Sequence, residues 1–206
     1  NRCFVLRVHR RGNNSDAAVQ SELLWMDALR KAGIATPAVV PAMSGGLFVH
    51  VGEEPDRYQC DLLEWLPGKL FNDLGRVARG MRVEFCDRYK QLGALAARVH
   101  KQSKNWQRPA DFERRCWDEE GLLGETPVMG RFWEHPAITP GQKREILKAR
   151  LVLREFLKKF GKTAENYGLI HADFLPENIL VHDGELSLID FDDCGFGWYL
   201  FEMATS

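Results

Sequence analysis

The sequence has few of the features that mark secreted, zinc-binding or membrane proteins. Its five cysteines are widely separated without a CxxC pair, and its six histidines form no HExxH motif. We therefore expect neither a disulfide framework nor a zinc site, and the scattered cysteines are typical of a cytoplasmic protein. Because no hydrophobic run approaches the roughly 18 residues that cross a bilayer, we expect no membrane partner.

An excess of charge of one sign is also absent. The chain has 28 Lys and Arg residues against 29 Asp and Glu residues, and its net charge is −1. This balance argues against a protein built to hold nucleic acid. What is present is a composition that is 45% hydrophobic and 11% aromatic over 206 residues. That is enough to bury the core of one large domain, or of two lobes around a cleft.

The first part of the chain is predicted to contain strands and one amphipathic helix. Residues 3–8, 47–51 and 59–63 are rich in β-branched and apolar residues, which is typical of strands. A helix is predicted from Ser15 or Asp16 to about residue 32, because either side chain can cap it. Its apolar stripe consists of Val19, Leu23, Met26 and Leu29.

One acidic residue falls on the packing face of that helix. Glu22 lies three residues after Val19 and four before Met26, so helical geometry places it beside residues expected to be buried. A carboxylate in that position needs a cationic partner. The alternative is that Glu22 lies at the edge of the stripe and reaches solvent.

The middle of the chain is predicted to be mainly helical. We expect helices over residues 82–101 and 142–160, and an irregular segment over 105–141 with a short helix near 111–120. A strand is expected close to one end of the chain, and a helix opens near Trp198 at the other. These ends lead us to expect a fragment of a longer protein.

A β-hairpin is predicted near the end of the sequence. Residues 179–181 and 186–189 are short apolar runs joined by an Asp-Gly turn, which is a strong hairpin signal. The hairpin would bring Asn178, just before its first strand, close to Asp190, just after its second. Amide and carboxylate oxygens, together with substrate phosphates, are the ligands that Mg²⁺ prefers.

Two motifs carry a resemblance to kinases. His171-Ala-Asp173, with Asn178 five residues after the aspartate, resembles the catalytic-loop pattern H-x-D-x-x-x-x-N, and Asp190-Phe191 resembles the metal-binding segment that follows it. With residues 188–197, the sequence resembles the aminoglycoside phosphotransferase family, which includes choline kinases and type II homoserine kinases. The resemblance implies a protein-kinase-like α+β fold. Residues 1–66 would form a small β-rich lobe and residues 67–206 a larger helical lobe, both incomplete.

The same resemblance implies the catalytic chemistry. The protein would be an ATP- and Mg²⁺-dependent phosphotransferase that acts on a hydroxyl group of a small molecule. Asp173 would be the catalytic residue that accepts the proton of this hydroxyl. His171 belongs to the same catalytic motif, and we expect it to shape the loop by bonding to the backbone. Asn178 and Asp190 would be the metal ligands.

The nucleotide-binding residues are also implied by the resemblance. Val5 would contact adenine, and Arg7, at a position where kinases usually have lysine, would bind the phosphates and pair with Glu22. Residues from Glu64 to Leu66 would form the hinge that offers backbone groups to the adenine edge. An ordinary strand end before a turn is the alternative for this last segment.

Two alternative functions stay open, namely a protein Ser/Thr kinase and a non-catalytic nucleotide-binding domain. Leu175 stands where protein kinases usually have lysine, and Asp192 stands where they have the glycine of Asp-Phe-Gly. Both departures resemble small-molecule kinases, and the intact catalytic and metal-binding residues favour an enzyme. Asp192 and Asp193 would either tune the metal site or act as solvated or capping acids. The acceptor, the choice of ATP or GTP and the oligomeric state stay open.

Overall fold

A four-stranded antiparallel sheet and one long helix form the first part of the protein. The computed structural model describes residues 2–72 and 82–205. Strand β4 pairs with all three other strands of the sheet. The elements are β1 (Phe4–Val8), α1 (Asp16–Lys31), β2 (Val39–Val40), β3 (Val49–Val51) and β4 (Tyr58–Glu64). The predicted strands and helix are confirmed, whereas β2 was not predicted.

The described residues after Glu64 contain two long helices and two small sheets. Strands β8 and β9 form the predicted hairpin with β5 beside it, and β10 lies between β6 and β7. The elements are β5 (Lys69–Leu70), α2 (Arg82–Asn105), β6 (Arg115–Trp117), α3 (Glu119–Leu123), α4 (Pro140–Phe160), β7 (Tyr167–Ile170), β8 (Ile179–His182), β9 (Glu185–Leu188), β10 (Gly195–Trp198) and α5 (Tyr199–Ala204). The two long predicted helices and the hairpin are confirmed.

The hairpin turn explains why its prediction was reliable. Asp183 and Gly184 both have positive φ angles, 50° and 84°. This is the conformation of the two-residue turns whose twist matches paired strands, and Asp-Gly is a preferred sequence for it. The register places Ile179 opposite Leu188. The residues just outside this pair are therefore neighbours.

The short helix predicted near residues 111–120 is wrong. Residues 115–117 form strand β6, which pairs in parallel with β10, and the helix begins only at Glu119, after the capping residue Asp118. Gly195 in β10 permits this pairing, because a Cβ there would lie 2.4 Å from the Arg115 carbonyl oxygen. Since its partner strand lies about eighty residues further along the chain, local sequence carried no signal for β6.

One hydrophobic core joins the two parts of the protein. It combines Leu23 and Met26 of α1 with Leu95 of α2, and with Leu169 and Phe191 from the last part of the chain. The hairpin also contacts the first part, because the Leu188 amide donates to the Ala35 carbonyl. Within the described residues, no helix has the length and apolar character needed to cross a membrane.

Candidate active site

A cavity of about 620 Å³ lies between β1, the end of β4 and the β8–β9 hairpin. Its lining includes five residues proposed from the sequence, namely Val5, Arg7, Glu64, Leu66 and Asp190. Alternation along β1 explains the first two, since they face the cavity while Phe4, Leu6 and Val8 point outward and are exposed. Other lining residues, such as Leu63, Trp65 and Ile189, are apolar. The cavity can therefore enclose a flat apolar ring.

Glu22 is fully buried and paired with arginine, as its position in α1 predicted. Its carboxylate accepts a hydrogen bond of 2.6 Å from Arg7, and the Arg114 guanidinium lies 3.4 Å from its other oxygen. The alternative of a solvent-exposed Glu22 is wrong. Two guanidinium groups compensate the cost of burying this carboxylate.

Arg114 connects α1 to the segment after the β8–β9 hairpin. Besides Glu22, its buried guanidinium donates to the carbonyl of Ala18 in α1 and to those of Phe191, Asp192 and Cys194. These contacts hold the backbone that follows Asp190 against α1. The arrangement fixes Asp190 relative to Glu22 and Arg7.

The predicted catalytic loop is held by side chains that point back into it. The Asn178 amide nitrogen donates to the Asp173 carboxylate at 2.7 Å and to its carbonyl at 2.9 Å. His171 is fully buried, and its ring nitrogens contact the Ile189 carbonyl and the Asp173 amide. The contacts of His171 are therefore those of a residue that shapes the loop.

A buried carboxylate from α5 supports the start of this loop. Glu202 accepts hydrogen bonds from the backbone amides of His171, at 3.0 Å, and Ala172, at 2.6 Å. Ala172 has a φ angle of 66°. A non-glycine residue in this region is strained, and such strain persists only where surrounding contacts enforce it.

The hairpin pairs Asn178 with Ile189, the residue just before Asp190. The Ile189 amide donates to the Asn178 carbonyl at 3.0 Å. Since the Asn178 amide nitrogen is engaged by Asp173, its side-chain oxygen is the atom that remains for a cation. The described residues contain no group of three or more His, Cys, Asp or Glu residues that could hold a metal ion. This donor set fits Mg²⁺ completed by phosphate oxygens, not an all-protein cage.

Asp192 and Asp193 have protein partners and are not fully solvated. The Asp192 carboxylate accepts from the Asn14 amide at 2.9 Å, and Asp193 pairs with Arg115 at 2.8 Å. Burial raises the pKa of Asp193, and the charges of Asp192, Asp173 and Asp190 raise it further against the opposing effect of Arg115. The site is thus a concentration of negative charge that favours a bound cation.

The segment expected to form the hinge lines the cavity, but part of its backbone is already engaged. The Glu64 amide donates to the Ala38 carbonyl at 2.8 Å, and the Trp65 amide donates to the Cys3 carbonyl at 3.0 Å. These two N–H groups are therefore not available to a ligand edge. Leu66 follows them along the chain and also lines the cavity.

Sequence reasoning missed four polar residues that support the site: His9, Asp61, Arg114 and Glu202. All four are buried. Asp61 stands in an apolar strand and Glu202 in an apolar helix, so the argument that identified Glu22 could have found both. Arg114 lay in a segment without periodicity and gave no such signal.

Comparison with known proteins agrees with this geometry. Residues 1–206 match the model of the phosphotransferase enzyme family, so the chain belongs to this family. It is 24% identical over 210 residues to amicoumacin kinase of Bacillus subtilis (strain 168), covering 99% of this chain and 56% of that protein. It is also 24% identical over 208 residues to hydroxylysine kinase of Bos taurus, covering 91% of this chain and 50% of that protein. The chain thus spans about half the length of these relatives.

Solved structures confirm the predicted protein-kinase-like α+β fold. A microcompartment-associated aminopropanol kinase superimposes with a TM-score of 0.83 at 33% identity, over 98% of this chain and 61% of that one. An aminoglycoside phosphotransferase, APH(4)-Ia, superimposes with a TM-score of 0.63 at 17% identity, over 98% of this chain and 64% of that one. The second likeness concerns the fold alone.

Proposed function

We propose that the protein is an ATP- and Mg²⁺-dependent phosphotransferase whose acceptor is a hydroxyl group of a small molecule. The observation that carries this proposal is that the hydrogen-bonded pair Asp173–Asn178 adjoins the end of the β8–β9 hairpin, where Asp190 lines the same cavity as Arg7. Named relatives act on small molecules, and one amicoumacin kinase structure contains AMP-PNP and Ca²⁺. The alternatives of a protein kinase and a non-catalytic domain have no comparable support.

Asp173 is the proposed catalytic residue. Its carboxylate accepts one hydrogen bond, from Asn178, and this bond fixes its orientation. A carboxylate held in this way can accept a hydrogen bond from the acceptor hydroxyl and orient its oxygen for attack on the γ-phosphorus of ATP. It can take the hydroxyl proton as the new O–P bond forms, while the bond from that phosphorus to the β,γ-bridging oxygen breaks and ADP leaves. His171 acts as a positioning residue, through its contacts with the loop backbone.

Asn178 and Asp190 are the proposed metal ligands. When bound, Mg²⁺ would neutralise charge on the phosphates. The role of the two side chains is to hold that ion through one amide oxygen and one carboxylate. Asp192 and Asp193 add negative charge nearby, which is compatible with the same cation.

The nucleotide is proposed to lie in the cavity between two lobes, which would consist of residues 1–66 and residues 67–206. Val5 and the apolar lining would enclose the adenine ring, and the backbone around Leu66 would meet its edge. Glu64 lines the same cavity and would form part of the same hinge. Arg7, held by Glu22, would donate hydrogen bonds to the phosphates.

A cytoplasmic location is also proposed. All five cysteines are free thiols, although two of them are buried and three exposed. Exposed thiols that stay unpaired are typical of a reducing compartment. Mass measurement of the protein isolated from its native source, with and without reductant, would test this.

The function is tested by measuring nucleotide consumption with a panel of hydroxyl compounds. The full-length protein would be assayed with 1-amino-2-propanol, 5-hydroxylysine, homoserine, amicoumacin and an aminoglycoside. For the best acceptor, Asp173→Asn is expected to lower turnover by about two to four orders of magnitude, since the proton acceptor is lost. Nucleotide affinity should change little.

The matched control makes the same change on the surface. Asp183 has 89% of its side chain exposed, in the hairpin turn. Asp183→Asn should keep the activity of the parent protein, because asparagine also accepts a positive φ angle. Near-normal turnover of Asp173→Asn on its acceptor would overturn the assignment.

A further inference from the structure

Arg7 is held on two sides by carboxylates. In the β1–β4 register, Arg7 lies opposite Asp61. Its Nε and one terminal nitrogen donate to the two oxygens of Asp61 at 2.9 and 2.8 Å, and its other terminal nitrogen donates to Glu22 at 2.6 Å. A guanidinium that donates to two carboxylates in this way cannot rotate about its side-chain bonds without breaking charge-assisted hydrogen bonds.

Asp61 is itself braced. Its side chain is fully buried, and its Oδ2 atom lies 2.6 Å from Nε2 of the buried His9. Burial alone would raise the pKa of Asp61, but the hydrogen bonds from His9 and Arg7 outweigh burial and lower it. Asp61 therefore stays ionised and keeps its position relative to β1.

The bonding pattern leaves donors of Arg7 for a ligand. A guanidinium has five N–H groups, and three of them are engaged by Asp61 and Glu22. The side chain keeps 20% of its surface exposed, and it lines the cavity. A lysine in its place would have three N–H groups to share among two carboxylates and a phosphate. The paired carboxylates therefore suit arginine better than lysine.

Net charge does not explain the arrangement. Arg7 and Arg114 balance Glu22 and Asp61, so these four buried or half-buried groups sum to zero when ionised. What Arg7 offers to an anion is thus a set of oriented, polarised N–H donors and not an excess of positive charge.

We propose that Asp61, braced by His9, is a positioning residue that orients Arg7 so that arginine replaces lysine as the phosphate-binding side chain. This inference rests on the proposed function, because it deepens the role of Arg7 at the same site. It adds Asp61 and His9 to the residues on which nucleotide binding depends. The contacts of Asp61 with Arg7 and His9 also explain why an arginine at this position is compatible with a working site.

The test is a double-mutant cycle between Arg7 and Asp61 in the full-length protein. The dissociation constant of ATP would be measured by calorimetry, and KM for ATP, KM for the acceptor and kcat by the coupled assay. Asp61→Asn is expected to weaken ATP binding about tenfold, the scale of one charge-assisted hydrogen bond, without changing KM for the acceptor. In an Arg7→Lys background, Asp61→Asn should change the dissociation constant of ATP less than about threefold. The reason is that lysine has no planar guanidinium for Asp61 to orient.

Two further variants complete the design. Asp56→Asn is the matched control, because Asp56 pairs with Arg11 at an exposed position. Asp56→Asn should leave the dissociation constant of ATP and KM for ATP unchanged. His9→Phe removes the brace and keeps a ring in the buried site, so it should weaken ATP binding in the same direction. If Asp61→Asn does not give a cooperative melting curve, the ATP affinity of His9→Phe decides whether the positioning role holds.

The outcomes separate this inference from the proposed function. An equal effect of Asp61→Asn in both Arg7 backgrounds, or a parallel rise of KM for ATP and for the acceptor, would overturn the positioning role. ATP binding without any phosphorylation would contradict the proposed function, while the binding cycle still decides the role of Asp61. A parent protein that binds no ATP would contradict both.

Discussion

Asp190 has a backbone conformation that determines how its role can be tested. Its φ angle is 61°, a region that asparagine and aspartate tolerate better than other non-glycine residues. Asp190→Asn therefore removes the carboxylate without adding much strain. We expect it to weaken Mg²⁺-dependent nucleotide binding about tenfold or more, since under the proposed function the ion would lose a charged ligand.

Nucleotide titrations with and without Mg²⁺ would measure this effect. Asp183→Asn, at the other positive-φ aspartate, is a control with the same chemistry. If Asp190→Asn retained the full metal dependence of the parent protein, the metal site would have to lie elsewhere.

Asp61 gives the free energy of unfolding a pH dependence of definite sign. Burial opposes ionisation, but the hydrogen bonds from His9 and Arg7 hold the pKa of Asp61 below its ordinary value of 3.8. Because the unfolded chain then binds the proton more readily, this stabilisation is present above the ordinary pKa. It is lost as the pH falls through that value towards the folded-state pKa.

Chemical denaturation at several pH values would measure this contribution. As the pH is lowered from about 6 to about 3, the denaturant concentration at the unfolding midpoint of the parent protein should decrease. The decrease should be smaller for Asp61→Asn. Parallel curves for the two proteins would show that Asp61 is not the group responsible.

Helix α5 bonds to the proposed catalytic loop through the side chain of Glu202. Glu202 accepts from the amides of His171 and Ala172 with separate oxygens. Glu202→Gln replaces one oxygen by an NH₂ group, which would face an N–H donor. We expect kcat to fall about tenfold, because the loop that carries Asp173 loses a charge-assisted hydrogen bond.

The dissociation constant of ATP should stay unchanged in Glu202→Gln, since α5 does not line the nucleotide cavity. Met203→Gln on the same helix is the control, because Met203 is 67% exposed. A fall in ATP affinity equal to the fall in kcat would indicate general loosening of the fold instead.

Elements whose signal is local were predictable from the sequence. Helix α1 has its cap, Ser15, immediately before it and its apolar stripe within it. The β8–β9 hairpin has its turn residues, Asp183 and Gly184, between its two strands. Strand β6 depends on β10 and the close approach at Gly195, and β2 depends on β4. Such pairings depend on tertiary contacts with distant segments, and the sequence pattern of one segment does not indicate them.

The candidate site divides in the same way. Motif residues such as Asp173, Asn178 and Asp190 could be proposed from spacing and resemblance. Arg114 and Glu202 act from elements whose positions depend on the whole fold. The sequence indicated that Glu22 needs a cation, yet it could not indicate that a second arginine would come from residue 114.

At the scale of the whole molecule, Arg114 links the first part of the chain to the last. Its side chain is fully buried, and it bonds to Glu22 and to carbonyls of both parts. Arg114→Leu would leave these groups without a partner, so we expect a loss of about 3–5 kcal/mol in the free energy of unfolding.

Urea denaturation followed by circular dichroism would measure this loss. Arg30→Leu is a control at an exposed ion pair of α1, where a change of under about 1 kcal/mol is expected. Equal effects of the two substitutions would contradict the linking role of Arg114.

The Glu22–Arg114 pair also sets an order of events during synthesis. Its two residues are 92 positions apart, and the carbonyl of Cys194 comes another 80 positions after Arg114. Translation at about 5–20 residues per second would separate the emergence of Glu22 from that of Cys194 by roughly ten to thirty seconds. During that interval the core around α1 is incomplete, because Leu169, Phe191 and Cys194 have not yet emerged, and we expect the nascent chain to need a chaperone.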